Sequence, residues 1–414
     1  VGAVEPGVSG STSTDAPLDA LRRSGLAPDG LARLDRVTRA HIERGSAAGA
    51  VWAVARHGDL HVGVAGTTEE GGDGTPIRRD TIFRLSSMTK PITAVAVLTL
   101  VEDCVLRLDD PVDDLLPELA DRRVMRDPSR PLDDTVPADR PITVRDVLTL
   151  RLGLGMDMAH WGRPQPLVER LADRGLGGGP PQPQVPPPPD EFMRRLGTLP
   201  LAHQPGARWL YDVGADVAGV LVARASGRSF PDFLRHRIFE PLGMRDTGLW
   251  VPPEHRARFG PLWIQEPSGA VRMLDPVDGR WSSPPAFPSG AAGLVSTVDD
   301  VAVFARMLLD GGIANGVRIL SPAAVAAMVT PHVPQGPDPD GHVAWGLGVG
   351  VRVRRTGIAH PVGTYGWDGG LGSSWANDPV HRMIGILLTN RAWSAPARPP
   401  IAQDFWTAAT AATG

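Results

Sequence analysis

The apolar positions of the 414-residue chain change their period more than once. Leu31, Leu34, Val37, Ala40 and Ile42 recur at helical spacing, which predicts a helix over Leu31–Arg44. Ala50–Ala55 and Asp59–Ala65 are β-rich runs, and Arg56-His57-Gly58 between them reads as a hairpin turn. Ile92 to Val101 is apolar at almost every position, long enough for a helix buried on all sides. Further on, helices are expected over Val144–Leu150, Asp190–Leu196, Val213–Ala225 and Phe230–Phe239. Thr297–Asp310 carries its own punctuation, with Thr297 as N-cap, Asp299 and Asp300 in the first turn and Gly311-Gly312 as the stop. Ser321-Pro322 opens another helix, to Val329. β character then returns over Trp345–Val353, Gly357–Val362, Gly372–Ala376 and Met383–Thr389, before a last helix at Ile401–Ala412.

This order predicts an α+β fold: an antiparallel β-sheet assembled from both ends of the chain, flanked by helices, with an all-helical insertion. Residues 1–28 read as an N-terminal arm, 29–104 with 241–414 as the sheet domain, and 105–240 as the helical insertion domain. Within the insertion, 175–190 (GLGGGPPQPQVPPPPD) is too rich in proline for helix or interior strand, and is expected to be a surface loop or flap.

Composition narrows the chemistry. A formal charge of −4 without a basic cluster gives no electrostatic footprint for nucleic acid. There is no run of about 18 apolar residues for a membrane span. No signal-peptide pattern precedes the globular pattern, so a cytoplasmic protein is expected, although Val1 in place of Met is consistent with a removed segment. The single cysteine, Cys104, excludes an internal disulfide and cysteine-based metal centres. It lies in the apolar run Val101–Leu106 and is expected to be a packed small side chain. The eleven histidines have no ligand spacing, so neither metal nor cofactor is implied.

Of 42 Lys+Arg residues all but one are arginine, and the exception is Lys90. Arginine stays protonated, whereas a buried lysine can lose its proton and act as a base. Lys90 closes Ser87-Met88-Thr89-Lys90 at the entrance of the apolar helix, and i,i+3 spacing puts the amine within reach of the hydroxyl. Serine needs such a base, and the base role requires burial and neighbouring positive charge to bring the lysine pKa down. Ser86, at i,i+4, competes with Ser87 on spacing. Tyrosine is equally scarce: Tyr211 and Tyr365 are the two phenols, and either satisfies the chemistry of a Lys/Tyr proton-transfer pair.

From about residue 30 to the end the chain resembles the serine β-lactamase-like hydrolases, which include class C β-lactamases, D-Ala-D-Ala carboxypeptidases and family VIII carboxylesterases. The matching segments are Phe83 to Lys90, Ile142 to Thr149, Pro205-Gly206 through Trp209 and Tyr211, Pro241 to Thr247, Gly293 to Thr297, and Leu308 to Gly312. The resemblance implies Ser87 as nucleophile, Lys90 as general base and Tyr211 as the group that protonates the leaving group. It also implies an oxyanion hole from the N–H groups of Ser87 and Gly370, and a substrate-lining third motif at Trp367-Asp368-Gly369. Two departures matter. The second motif reads Tyr211-Asp212-Val213 and lacks the family's asparagine, and Trp367 stands where a carboxylate-binding lysine is usual. Together they favour neutral esters with apolar portions, in the manner of the family VIII esterases. The tryptophans, among them Trp161, Trp209, Trp250, Trp263 and Trp281, fall in stretches suited to rim an apolar pocket. The expected function is therefore ester hydrolysis through an acyl-enzyme on a small-molecule ester or amide. The alternatives are acyl transfer or amide-bond chemistry through the same intermediate, D-Ala-D-Ala peptidase or β-lactamase activity, and a non-catalytic binding protein.

Overall fold

Gly49–Arg56 (β1) is buried at every position but its last, so it must be covered on both faces. It pairs antiparallel with Asp59–Gly66 (β2), and the two-residue turn His57-Gly58 has positive φ at both positions (50° and 100°), as a hairpin matching strand twist requires. The computed structural model describes residues 25–130, 132–177, 179–334, 336–338 and 340–413; residues 1–24 of the expected arm lie outside the described residues. On the other side β1 pairs with Met383–Thr389, so the two ends of the chain meet in one sheet.

The helices preceding and following these strands are Pro28–Glu43 (α1), Thr89–Glu102 (α2), Val213–Ser226 (α3), Val298–Leu309 (α4) and Pro400–Thr410 (α5). The remaining sheet strands are Val343–Trp345 (β3), Gly350–Arg352 (β4), Tyr365–Gly369 (β5), Ser373–Asp378 (β6) and Met383–Thr389 (β7). The sheet is antiparallel throughout, in the order β3-β4-β5-β6-β7-β1-β2.

α1 and α5 cover one face, where Leu34, Trp52, Leu387, Phe405 and Trp406 form a cluster. Trp52 lies over its cross-strand partner Gly63, where a Cβ would run into the indole, and its Nε1 donates to Asp35 of α1 at 2.9 Å. α2 and α4 cover the other face. There Val51, Val95, Leu98, Phe304 and Ile386 belong to a core that also includes Phe192, Leu196 and Leu221 from 105–240.

Several sequence expectations are corrected. Trp345–Val353 is two strands, because the chain turns at Gly346–Val349, where Gly348 has φ 76°. Gly357–Val362 forms no strand; it ends in Pro361-Val362, and Ile358 and Val362 are exposed. Tyr365–Gly369, for which periodicity predicted no strand, is a strand held by partners on both sides. The segment 105–240 is mainly helix and loop but contains one ladder, Arg123–Met125 with Thr135–Pro137. Cys104 is exposed with φ 59°, because α2 ends at Glu102 and the chain reverses before the apolar run resumes. The described part of the Pro-rich stretch is loop up to Pro188, and it is tied down: Gln184 Nε2 donates to the carbonyls of Arg280 and Ser283 at 3.0 Å each, and Arg280 donates back to the Pro181 carbonyl at 3.3 Å.

Candidate active site

Ser87 lies in the short turn Ser86–Met88 that leads directly into α2. Ser86 has φ 47° and is buried, which leaves Ser87 as the half-exposed serine of the pair. The turn is held from three sides. Leu85 N–H donates to the Leu294 carbonyl at 2.8 Å, and Ser373 Oγ donates to the Leu85 carbonyl at 2.7 Å. Before it, buried Arg84 donates twice to Asp275 Oδ2 (2.6 and 2.9 Å) and lies over the Phe259 ring. Burial pulls the Arg84 guanidinium down to about 10, against the opposing pull of Asp275. Gly369 of β5 faces Leu85 so closely that a Cβ would overlap its carbonyl.

Lys90, on the first turn of α2, is buried. Its ammonium has three donors and three acceptors: Ser87 Oγ at 3.2 Å, Asp212 Oδ1 at 2.6 Å and the Ala291 carbonyl at 3.0 Å. Its Nζ also sits 4.2 Å from the centre of the Tyr211 ring. Spacing left two serines and two tyrosines open. The structure brings Ser87 and Tyr211 to the lysine, whereas Tyr365 is in the core with its hydroxyl accepting from Asn377 Nδ2 at 3.1 Å. Burial pushes the Tyr365 phenol well above its ordinary range.

Tyr211 is positioned by its backbone. It exchanges hydrogen bonds with Met156 (2.7 and 2.9 Å), and Leu210 N–H donates to the Leu150 carbonyl at 2.8 Å. Trp367 Nε1 donates to the Tyr211 hydroxyl at 2.8 Å. Trp209, Trp345 and Trp367 surround the phenol, with Trp345 meeting Trp367 edge-on at 4.7 Å. Trp209 also forms one wall of a pocket of about 550 Å³ shared with Met158, Arg208, Val333 and Pro337. Of the tryptophans expected at the rim, Trp209 is beside the phenol. Trp281 is instead buried under Arg84 and Trp263 is on a strand. Trp345, which patterning did not single out, is fully buried and backs Trp209 and Trp367 from the core.

Strand alternation splits the third motif. Trp367 faces Tyr211, but Asp368 points to the opposite face. There its carboxylate accepts from Ser374 Oγ at 2.5 Å and from Arg398 at 2.7 Å, and Arg398 also contacts His360. Asp368 is therefore not brought to Ser87 and supports β5 from behind. At Gly370 a Cβ would meet nothing within 4 Å, so the space beside the strand end is open.

Sequence reasoning missed the acidic groups around Lys90. Burial tends to lower the lysine pKa, but the Asp212 carboxylate and then Tyr211 more than offset it, so the amine lies above its ordinary value. The neighbouring positive charge expected of the base is absent among the groups that perturb Lys90, and a carboxylate takes its place. One turn further along α3, Asp216 accepts from Ser289 Oγ (2.6 Å) and Ala291 N–H (3.1 Å), fixing the segment whose carbonyl receives Lys90. Burial, and next the charge of Asp212, push the Asp216 carboxyl up to about 7. The signal was an aspartate inside the otherwise apolar run Val213–Ala223.

An antiparallel sheet faced by helices, with a serine one turn ahead of a buried lysine, defines the β-lactamase/transpeptidase-like fold class. The chain belongs to the Beta-lactamase family, whose profile matches residues 34–404. It is 33% identical to esterase EstB of Burkholderia gladioli over 413 residues, covering 93% of this chain and 97% of that one. It is 30% identical to the lovastatin esterase of Penicillium rubens, covering 76% and 81% of the two chains. Among solved structures, EstCE1, described as a hydrolase with promiscuous acyltransferase activity, superposes with a TM-score of 0.75 at 25% identity. That match covers 93% of this chain and 98% of that one.

Proposed function

We propose that this protein is a serine hydrolase that cleaves carboxylic esters through an acyl-enzyme on Ser87. The observation that carries the reading is the 3.2 Å contact between Ser87 Oγ and the amine of Lys90, with Tyr211 against the same amine. In this reading Ser87 Oγ attacks the ester carbonyl carbon while Lys90, in its neutral form, takes the hydroxyl proton. The N–H groups of Ser87 and Gly370 stabilise the charge that forms on the carbonyl oxygen, and the open space at Gly370 leaves room for it. Tyr211 and Lys90 then return a proton to the departing alcohol, and water cleaves the acyl-enzyme.

Trp367 at the site and Trp209 in the adjoining pocket, both backed by the buried Trp345, support an apolar acyl or alcohol portion. Trp367 in place of a lysine disfavours substrates held by a carboxylate. The names of EstB and the lovastatin esterase support the ester class, and that of EstCE1 supports transfer of the same acyl group to an acceptor other than water. Among the described residues no helix is long and apolar enough to cross a membrane.

Intact-protein mass after exposure to short-chain nitrophenyl esters, amides and β-lactams, with and without added amines, tests this reading. Ester acyl groups are expected to load, to persist or exchange in the order water permits, and to be absent in Ser87→Ala but present in Ser86→Ala. Rapid turnover of a chromogenic cephalosporin without ester cleavage would overturn the substrate class, and loading in Ser87→Ala would move the nucleophile.

A further inference from the structure

The chain's only lysine is held by a carboxylate that the family resemblance does not place there. Asp212 follows Tyr211 and precedes α3, and its backbone has φ 86° and ψ −68°. A side chain other than glycine is strained in that conformation. It persists because Tyr211 is clamped to Met156 on one side while α3 begins immediately on the other. The outcome of the strain is that Oδ1 is set 2.6 Å from Lys90 Nζ, while about a third of the Asp212 side chain stays open to the cleft. The amine's other two protons go to Ser87 Oγ and the Ala291 carbonyl. An amine with all three donors engaged has no lone pair to offer. Around it stand Tyr211 and Asp216 from the same stretch, the Ala291 carbonyl from 289–292, and uncharged Leu148, Trp345 and Gly348 from the other packed segments.

We infer that Asp212 is a positioning residue that holds Lys90 as an ammonium in the resting site, so that acylation starts by discharging this ion pair. The inference rests on Lys90 being the base. The proton balance is simple: the Lys90 N–H bond facing Asp212 breaks as an O–H forms on the carboxylate. Rotation about Cε–Nζ turns the freed lone pair from Asp212 to Ser87, where it takes the hydroxyl proton as Oγ bonds to the carbonyl carbon, and the carbonyl π pair moves onto oxygen. An apolar ester that fills the cleft drives the first step, because it removes water from the half-open carboxylate and makes the separated charges costlier than the neutral pair.

The single lysine makes the test direct. In protein labelled with ¹³C at lysine Cε and carrying no tag lysine, one side-chain signal reports Lys90 with no substrate present. In the native chain it is expected to keep its ammonium shift through the range where free lysine begins to titrate. In Asp212→Asn and Asp212→Gly, both suited to positive φ, the midpoint should fall by at least about one pH unit. The acid limb of kcat/KM for a nitrophenyl ester should move up in both variants, to the lysine midpoint, because without the carboxylate Lys90 must lose its proton to solvent before it can act as base. A native lysine that titrates below its ordinary range, or one whose midpoint is the same in a folded Asp212 variant, overturns the inference. A second outcome is separate: a shifted lysine with an unmoved rate profile, or Lys90→Arg with native activity, removes Lys90 from the base role and the underlying reading with it.

Discussion

At the residue scale, the site depends on which way single side chains point, and spacing alone decides little of that. Ser86 and Ser87 are adjacent, yet a left-handed φ at Ser86 turns one hydroxyl into the protein and leaves the other beside Lys90. Trp367 and Asp368 are likewise adjacent, and strand alternation sends only the first to the site. The indole N–H of Trp367 has one acceptor there, the Tyr211 hydroxyl, which it orients and polarises. Trp367→Phe retains the apolar face but loses that donor. A neutral hydrogen bond of this kind contributes about 0.5–1.5 kcal/mol, so kcat for an ester should fall up to about tenfold with a smaller change in KM. Steady-state kinetics against short-chain nitrophenyl esters check this, and a rise in KM with unchanged kcat would make Trp367 only a substrate contact.

At the element scale, segments with strong local signals were legible. Met383–Thr389 is the strand read from the sequence, and Thr297 caps α4 as expected, accepting from Asp300 N–H. Tyr365–Gly369 was not legible, since Tyr-Gly-Trp-Asp-Gly has little strand propensity of its own. Its conformation is imposed by β4 and β6, which sequence periodicity cannot weigh. The start of α4 also shows a cost hidden from the sequence. Asp300 serves the helix N-terminus, but its carboxylate is buried, accepting from Thr247 Oγ1 and Asp246 N–H at 2.8 Å each. Burial pushes its carboxyl up to about 6. A folded pKa above the unfolded value means that the native state binds the proton more tightly. Stability from Asp300 is thus fully present below the ordinary carboxylate range and is lost as pH rises through about 6. Asp300→Asn removes this titration. Native minus variant stability, from urea midpoints at pH about 4 and about 7, should become less favourable at the higher pH, and equal differences at both would contradict the burial argument.

At the scale of the whole molecule, the fold class was legible because both ends of the chain carry strand signals and the middle does not. The candidate site was only partly so: Ser87 and Lys90 are a local motif, whereas Lys90 and Asp212 are 122 positions apart and meet through packing of α2 against α3. That packing bears on the division proposed from sequence, with 105–240 as a separate insertion. Among the described residues Phe192, Leu196 and Leu221 share one continuous core with Val51 and Ile386 of the sheet, so the segment 105–240 is expected to melt with the sheet. Lys90 comes from one part, and Tyr211 and Asp212 from the other, which places the site on their junction. Calorimetry should therefore give a single transition whose calorimetric and van't Hoff enthalpies agree. A phosphonate adduct on Ser87 should raise that one transition as a unit, because a ligand bound at a junction stabilises both sides together. Two resolved transitions, only one of them moved by the adduct, would instead make 105–240 an independently folding domain and confine the site's coupling to the contact between α2 and α3.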